Sequence, residues 1–252
     1  MGTQRGRVVY LDLDGTLLGP GGSLLRGDGG AFSTEGVAAL ALLHAAAVPV
    51  VLVSGRSRAR LETVARVVGA DGLLPELGAT DCGYPVAAGQ TVHEAIAATG
   101  IVDALLAREP GLEPHPPAAW GREGSHVIRG RASAGAAAWV RDTSGGALRL
   151  ADNGRIGPGD VHVFHLLPAA ASKAEAVRRD VALRGADPAR CLAVGDSTED
   201  LGMARAVGRF ALVRNGAEAD PAAAAAAGWI TRARFGAGVR EAAEAWLAGA
   251  GA

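Results

Sequence analysis

Lysine is almost missing from this chain: of its 25 lysine and arginine residues, only Lys173 is a lysine. A surface furnished with arginine has no generic use for a single lysine, which marks Lys173 for a role of its own. Aromatic residues are scarce at 4%, so the core must be built from Val, Leu, Ile and Ala. Cysteine is nearly absent too. Cys82 and Cys191 lie far apart and form no CxxC or metal-ligand pattern, which excludes a disulfide framework and points to reduced thiols. The net charge of −1 supplies no basic field for nucleic acid. No apolar run reaches the length of a bilayer span, and no signal-type apolar stretch follows Arg5 and Arg7. The expectation is therefore a cytoplasmic protein with neither nucleic acid nor membrane as partner.

What remains is an ordinary globular balance, 49% hydrophobic and 20% charged over 252 residues, enough for a core plus a smaller insert. Arg7–Leu13 is short, apolar and β-branched, as a strand buried in a parallel sheet would be. A glycine-rich stretch over 19–30 reads as a turn or flap. Ser33 or Thr34 can cap a helix carrying Val37, Leu40 and Leu43. Val48–Val53 is a second buried strand, a helix through Leu61, Val64 and Val67 follows, and Gly72–Leu74 is a third strand. Alternation of this kind predicts βαβ units and a parallel sheet.

From Tyr84 to about His165 the regularity lapses. A helix is expected over His93–Arg108, strands over Ser125–Arg129 and Val161–Leu167, and a helix over Ala132–Arg141. The βα pattern resumes at Ser172 with a helix to Arg184. A strand at Cys191–Val194, a helix around Leu201–Ala206, a strand at Arg209–Val213 and a helical alanine run at Ala222–Ala227 complete it. The expected fold class is α/β: a Rossmann-like core over residues 1–83 and 168–252, interrupted by an α+β insert over 84–167.

Chemistry-bearing residues gather at predicted strand ends. Asp12 and Asp14 close the first strand, Ser54 the second, and Asp196 the strand after Cys191. Open parallel sheets bind ligands beyond the carboxyl ends of their strands. Asp12 and Asp14, two apart, share a face if the strand stays regular. Paired carboxylates there repel and resist burial, and a divalent cation relieves both effects. Mg²⁺ suits oxygen ligands and can neutralise charge in phosphoryl transfer. A carboxylate nucleophile divides the displacement into two steps, and a second carboxylate can move the proton. Ser54 offers a hydroxyl and Lys173 a compact positive charge for phosphate. Asp196 and Asp200 bracket a helix start, the first suited to ligate the metal and the second to ligate it or orient a neighbour.

The segments Asp12-Leu13-Asp14-Gly15-Thr16, Val53-Ser54-Gly55-Arg56, Ser172-Lys173 and Gly195-Asp196-Ser197-Thr198-Glu199-Asp200 resemble the four ordered motifs of the haloacid dehalogenase (HAD) superfamily. An insert between the second motif and the lysine is similar to the C2-capped, Cof-like branch, which includes sucrose-phosphate and mannosyl-3-phosphoglycerate phosphatases. The resemblance implies a capped Rossmann-like core and a Mg²⁺-dependent phosphatase acting on a small phosphorylated metabolite. In that reading Asp12 is the nucleophile, Asp14 the general acid/base, Ser54 and Lys173 further catalytic residues, and Gly55 and Arg56 substrate-binding. Asp12, Asp14, Asp196 and Asp200 hold the metal. Glu199 departs from the asparagine common at that position of the branch.

Plainer readings stand beside these. Asp-Gly favours turns, Ser54 can cap a helix, Lys173 can be a solvated helix start, and Asp200 can stabilise a first turn. Arg122, His126, Arg129 and Arg131 either bind an anionic substrate group or form a solvated cationic face, the second being expected for most of them. His162 and His165, three apart in a strand, face opposite sides and are expected to be structural. A phosphomutase on the same core and a non-catalytic phosphate-binding protein of HAD fold are the alternative functions.

Overall fold

The computed structural model describes residues 6–156 and 159–249. In chain order the elements are β1 (Val9–Asp12), α1 (Glu35–Ala45), β2 (Val50–Val53), α2 (Arg58–Val68), β3 (Gly72–Leu74), α3 (Val92–Ala98), α4 (Ile101–Arg108), β4 (Leu112–Pro114), α5 (Pro116–Ala119), β5 (His126–Gly130), α6 (Ala136–Thr143), β6 (Leu148–Arg155) and β7 (His162–Pro168). They continue with α7 (Lys173–Arg184), β8 (Leu192–Gly195), α8 (Thr198–Leu201), β9 (Arg209–Leu212), α9 (Arg214–Ala219), α10 (Pro221–Ala226) and α11 (Phe235–Leu247). Two compact units result. One holds the chain up to Ser54, Thr63–Leu74 and everything from Lys173 on; the other holds Gly55–Glu62 and Pro75–Ser172.

The first unit carries a five-stranded sheet in the order β3-β2-β1-β8-β9, every pair parallel. Its inner strands are dry: Val9, Tyr10, Leu11 and Val50–Val53 are fully buried. That is why they read as continuous apolar runs with no polar alternation. Burying each such aliphatic side chain is worth about 1.5–3 kcal/mol. The Tyr10 hydroxyl in this layer is satisfied, donating to Asp180 Oδ2 at 2.9 Å. The strand order runs outward from β1 to β3 on one side and from β8 to β9 on the other. The reversal falls between β1 and β8, where doubly wound sheets open a crevice at the carboxyl edge.

The second unit has an antiparallel sheet, β4-β5-β7-β6. Ile96, Leu105, Val140, Leu148 and Leu166 join its apolar cluster. The helix expected over His93–Arg108 is two helices. Thr91 and Glu94 form a capping box on α3, and Gly100, at φ 72°, sits in the left-handed region between α3 and α4. Glycine adopts that conformation without a Cβ clash, so it ends one helix before the next begins. β4 and β6 were not legible in the sequence. β4 has three residues, and β6 is an edge strand whose exposed half, Asp152-Asn153-Gly154-Arg155, carries no apolar alternation. The alanine run is helical as expected, with Asp220 accepting from the N–H groups of Ala222 and Ala223. Among the described residues no helix is long and apolar enough to cross a membrane.

Candidate active site

The first unit brings Asp12, Lys173, Asp196 and Asp200 together. β1 ends on Asp12, which is 5% exposed. β8 ends at Gly195, so Asp196 follows at the neighbouring strand end. α7 begins on Lys173, itself buried. Its ammonium donates to Asp12 Oδ1 and to Asp200 Oδ1, both at 2.6 Å. The other oxygen of Asp200 accepts from the Asp196 and Ser197 amides at 3.2 and 3.1 Å and from the Ser197 hydroxyl at 2.6 Å. Asp200 is therefore the acidic half of a capping box on α8, one of the two roles open to it in the sequence, while also anchoring Lys173.

One carboxylate oxygen from each of Asp12, Asp196 and Asp200 lies within 4.8 Å of the others. Lys173 is the ammonium paired with Asp12 and Asp200, so with all three carboxylates ionised the group carries surplus negative charge. Asp12 Oδ2 is buried with no hydrogen bond of normal geometry. The electrostatics register the same surplus. Burial, opposed by Lys173 and assisted by Asp200, pushes the Asp12 carboxyl up to about 6. Burial and then the charges of Asp12 and Asp200 push Asp196 up to about 8. For Lys173 burial pulls downward, but the two carboxylates outweigh it and hold the ammonium above its ordinary range. A largely buried, oxygen-lined site with surplus negative charge and one unsatisfied oxygen fits a hard divalent cation.

Asp14 does not join this group. The strand ends at Asp12, and Asp14 is exposed in a tight loop whose carbonyls at Leu13 and Leu18 close back on it. The strand's two-residue period therefore does not extend to Asp14, whose charge nonetheless reaches Asp196. Gly15 makes this turn possible. Its φ is 86°, and a Cβ there would lie 2.1 Å from Asp196 Oδ2. Glu199 is likewise outside the three-carboxylate group.

Ser54 follows Val53, the register partner of Asp12. It is buried, and its amide donates to Leu74 O at 3.0 Å. Gly55 and Arg56 belong to the second unit, where Gly55 O accepts from Arg122 Nη1 at 2.6 Å and Arg56 O accepts from the Glu76 amide at 3.0 Å. The other cationic residues of the insert divide. Arg122 is buried and paired with Glu76, so the solvated-face expectation fails for it. Arg129 pairs with Glu113 and Arg131 with Asp160 in exposed positions. His126 stacks on His93 with ring centroids 3.7 Å apart, and burial and the His93 charge push it down to about 4. His165 is buried, whereas His162 is half-buried against Asp152 at 2.7 Å.

One residue of the core site went unread in the sequence. Asn215 donates to Gly15 O at 2.7 Å and accepts from the Phe235 amide at 2.9 Å, pinning the loop after Asp14 to the start of α11. Its signal was available: an amide side chain two residues beyond the buried run Phe210–Val213, at the same sheet edge as Asp12 and Asp196.

No protein-family model matches the chain, nor does any curated sequence. Solved structures do. The sucrose-phosphatase of Synechocystis sp. PCC6803, solved with sucrose and phosphate, superposes with a TM-score of 0.68 at 17% identity, covering 97% of this chain and 99% of its own. A haloacid dehalogenase-like hydrolase from Bacteroides thetaiotaomicron gives 0.66 at 18%, covering 95% and 98%. A sugar phosphatase of HAD subclass IIB gives 0.60 at 15%, covering 89% and 93%. With the parallel sheet, the inserted antiparallel unit and the carboxylate–lysine cluster at the sheet edge, these matches identify the fold of this chain as that of the capped haloacid dehalogenase-like hydrolases.

Proposed function

We propose that the chain is a Mg²⁺-dependent phosphatase that hydrolyses a small phosphate monoester, a sugar phosphate or phosphorylated glycoside, through an aspartyl-phosphate on Asp12. One observation carries the reading: Lys173 bridges Asp12 and Asp200 inside a carboxylate group that keeps surplus negative charge and one unsatisfied oxygen. Such charge is costly in a purely structural site. It suits a site that takes up a cation and an electrophilic phosphoryl group together.

Asp12, Asp196 and Asp200 are the residues that would hold the cation. When bound, Mg²⁺ supplies positive charge against the developing negative charge of the transferring phosphoryl group. Lys173 holds Asp12 in a fixed rotamer and lends it a second positive neighbour. An Asp12 oxygen attacks phosphorus; the new O–P bond forms as the ester P–O bond breaks. Asp14, exposed in the loop after β1, is assigned as the acid that gives its proton to the leaving alkoxide. It then takes a proton from water, and that water displaces Asp12 from phosphorus and releases inorganic phosphate. The Ser54 hydroxyl and the Gly55–Arg56 backbone are assigned to the phosphate oxygens. Substrate choice is assigned to residues of the inserted unit, by the same logic that places variable specificity on a fixed scaffold. The free thiols of Cys82 and Cys191 suit a reducing, cytoplasmic setting.

The test is hydrolysis of p-nitrophenyl phosphate. Turnover should require Mg²⁺, and Asp12→Asn should abolish it with the fold intact; an unchanged rate in that variant overturns the proposal. Quantitative release of inorganic phosphate from a sugar phosphate distinguishes hydrolysis from transfer to a second sugar position, the phosphomutase outcome.

A further inference from the structure

The second unit contains a buried charged pair that the scheme above does not use. Glu76 is fully buried, and the Arg122 side chain is 4% exposed. The Glu76 carboxylate accepts from the Glu123 amide at 2.8 Å, the Gly124 amide at 3.1 Å and the Ser125 hydroxyl at 2.7 Å, with Arg122 Nη1 at 3.5 Å. Arg122 Nη1 in turn donates to Gly55 O at 2.6 Å and to Ser125 Oγ at 3.3 Å. Glu76 also reaches the same segment directly, its amide donating to Arg56 O at 3.0 Å. Both peptide planes flanking Arg56 thus have their carbonyls tied, one through the Glu76 backbone and one through its side chain by way of Arg122. A peptide plane has its N–H antiparallel to its C=O, so fixing the carbonyls fixes the direction of the amides as well.

Two further features show that the arrangement is held against a cost. Glu76 and its neighbour Leu77 take φ of 51° and 56°, a region that side chains other than glycine rarely adopt. Strain of this kind persists where the surroundings over-determine it, and it gathers at functional sites. Gly55 is also closely approached: a Cβ there would lie 3.2 Å from His165 Nε2 and 3.6 Å from Asn153 Nδ2. The segment after Ser54 is thus gripped through its carbonyls and closely packed at its α-carbon.

We propose that Glu76 is a positioning residue for the Ser54–Gly55–Arg56 segment, acting on Gly55 through Arg122 and on Arg56 through its own amide, so that the segment is preset to receive a phosphate group. The proposal rests on the assignment of that segment to phosphate made above. Glu76 and Arg122 touch no reacting atom; their effect is on the geometry of the groups that do.

The experiment measures three quantities on the full chain: affinity for inorganic phosphate by calorimetry in the presence of Mg²⁺, affinity for Mg²⁺ alone, and kcat/KM for p-nitrophenyl phosphate. Glu76→Gln should weaken phosphate binding and kcat/KM by about tenfold each while Mg²⁺ affinity stays within about twofold, and Arg122→Lys, which keeps the charge but loses the planar fork, should fall between. Where Glu76→Gln does not fold, Ser125→Ala decides, since it removes one hydrogen bond to Glu76 and should weaken phosphate about threefold. Phosphate affinity unchanged in folded Glu76→Gln or in Ser125→Ala overturns the proposal. So does Mg²⁺ affinity that falls in step with phosphate, the mark of a merely structural role, and so does a wild-type chain that binds no phosphate. A wild type that binds phosphate but hydrolyses no ester, with binding still weakened in Glu76→Gln, removes the phosphatase reading and leaves the positioning role standing.

Discussion

Each unit of this protein buries ionised groups, and the two do so in opposite ways. In the second unit Glu76 and Arg122 face one another as one negative and one positive group, and the Glu76 carboxylate is met by two amides and a hydroxyl as well. In the first unit three carboxylates gather around one lysine, and a buried oxygen of Asp12 is left over. A balanced, saturated pair is what a fold uses to hold backbone in place. An unbalanced group is costly to the folded chain until something positive arrives, and that cost is characteristic of sites that bind. Burial alone does not separate the two; the balance of charge and the count of unsatisfied atoms do.

The contrast can be broken most severely at Asp12, the proposed nucleophile. Asp12→Asn should lower turnover of a phosphate monoester by about 10³-fold or more. It should leave the metal-free melting temperature equal or higher, because it removes a charge from a crowded site. A loss of stability comparable to the loss of activity would mean that the carboxylate cluster is structural. In the balanced pair the outcome should be reversed. Arg122→Met strands a buried carboxylate and should cost about 3–5 kcal/mol in urea denaturation, whereas Asp196→Asn, measured without metal at pH 8.5, should cost nothing.

The response to pH sharpens the same difference. In the metal-free chain burial pushes the Asp12 carboxyl up to about 6 and that of Asp196 up to about 8, both above the ordinary 3.8. The folded state then binds more protons than the unfolded state between about pH 4 and 8. The stability these groups contribute is full below that window and is lost as pH rises through it. A cation competes with those protons, so the rise in melting temperature produced by Mg²⁺ should grow from pH 5 to pH 8. A gain independent of pH would place the cation elsewhere. The smallest effect is expected at Asn215. Asn215→Ala removes the tie between Gly15 O and the Phe235 amide and should cost about 1 kcal/mol, with a modest fall in kcat. No change in either would show that the loop after Asp14 holds its shape unaided.

Much of this was legible before any coordinates. The dry strands β1, β2 and β8 announce themselves as β-branched apolar runs because both faces of a parallel sheet are covered, and a strand buried on both sides cannot afford polar alternation. Asp12, Ser54 and Asp196 could be placed at one edge because each ends or follows such a run, and Lys173 stood out because no other lysine competes with it. The sheet-edge location of the cluster is a consequence of local pattern plus the topology that short connections permit.

Tertiary structure decided the rest. Sequence spacing could not tell that β1 stops at Asp12 and that Gly15 turns the chain, which leaves Asp14 exposed in a loop beyond the strand. The double duty of Asp200, clamping Lys173 with one oxygen and capping α8 with the other, needs a lysine that is 27 residues away in the chain. Arg122 read as a surface cation because its partner Glu76 lies 46 positions earlier, and nothing in either neighbourhood points to the other. The division has a physical cause. Periodicity, propensity and capping act between residues a few positions apart, so a linear reading recovers them. The pairing of buried charges is set by distance in space, and only the folded chain brings those partners within reach of one another.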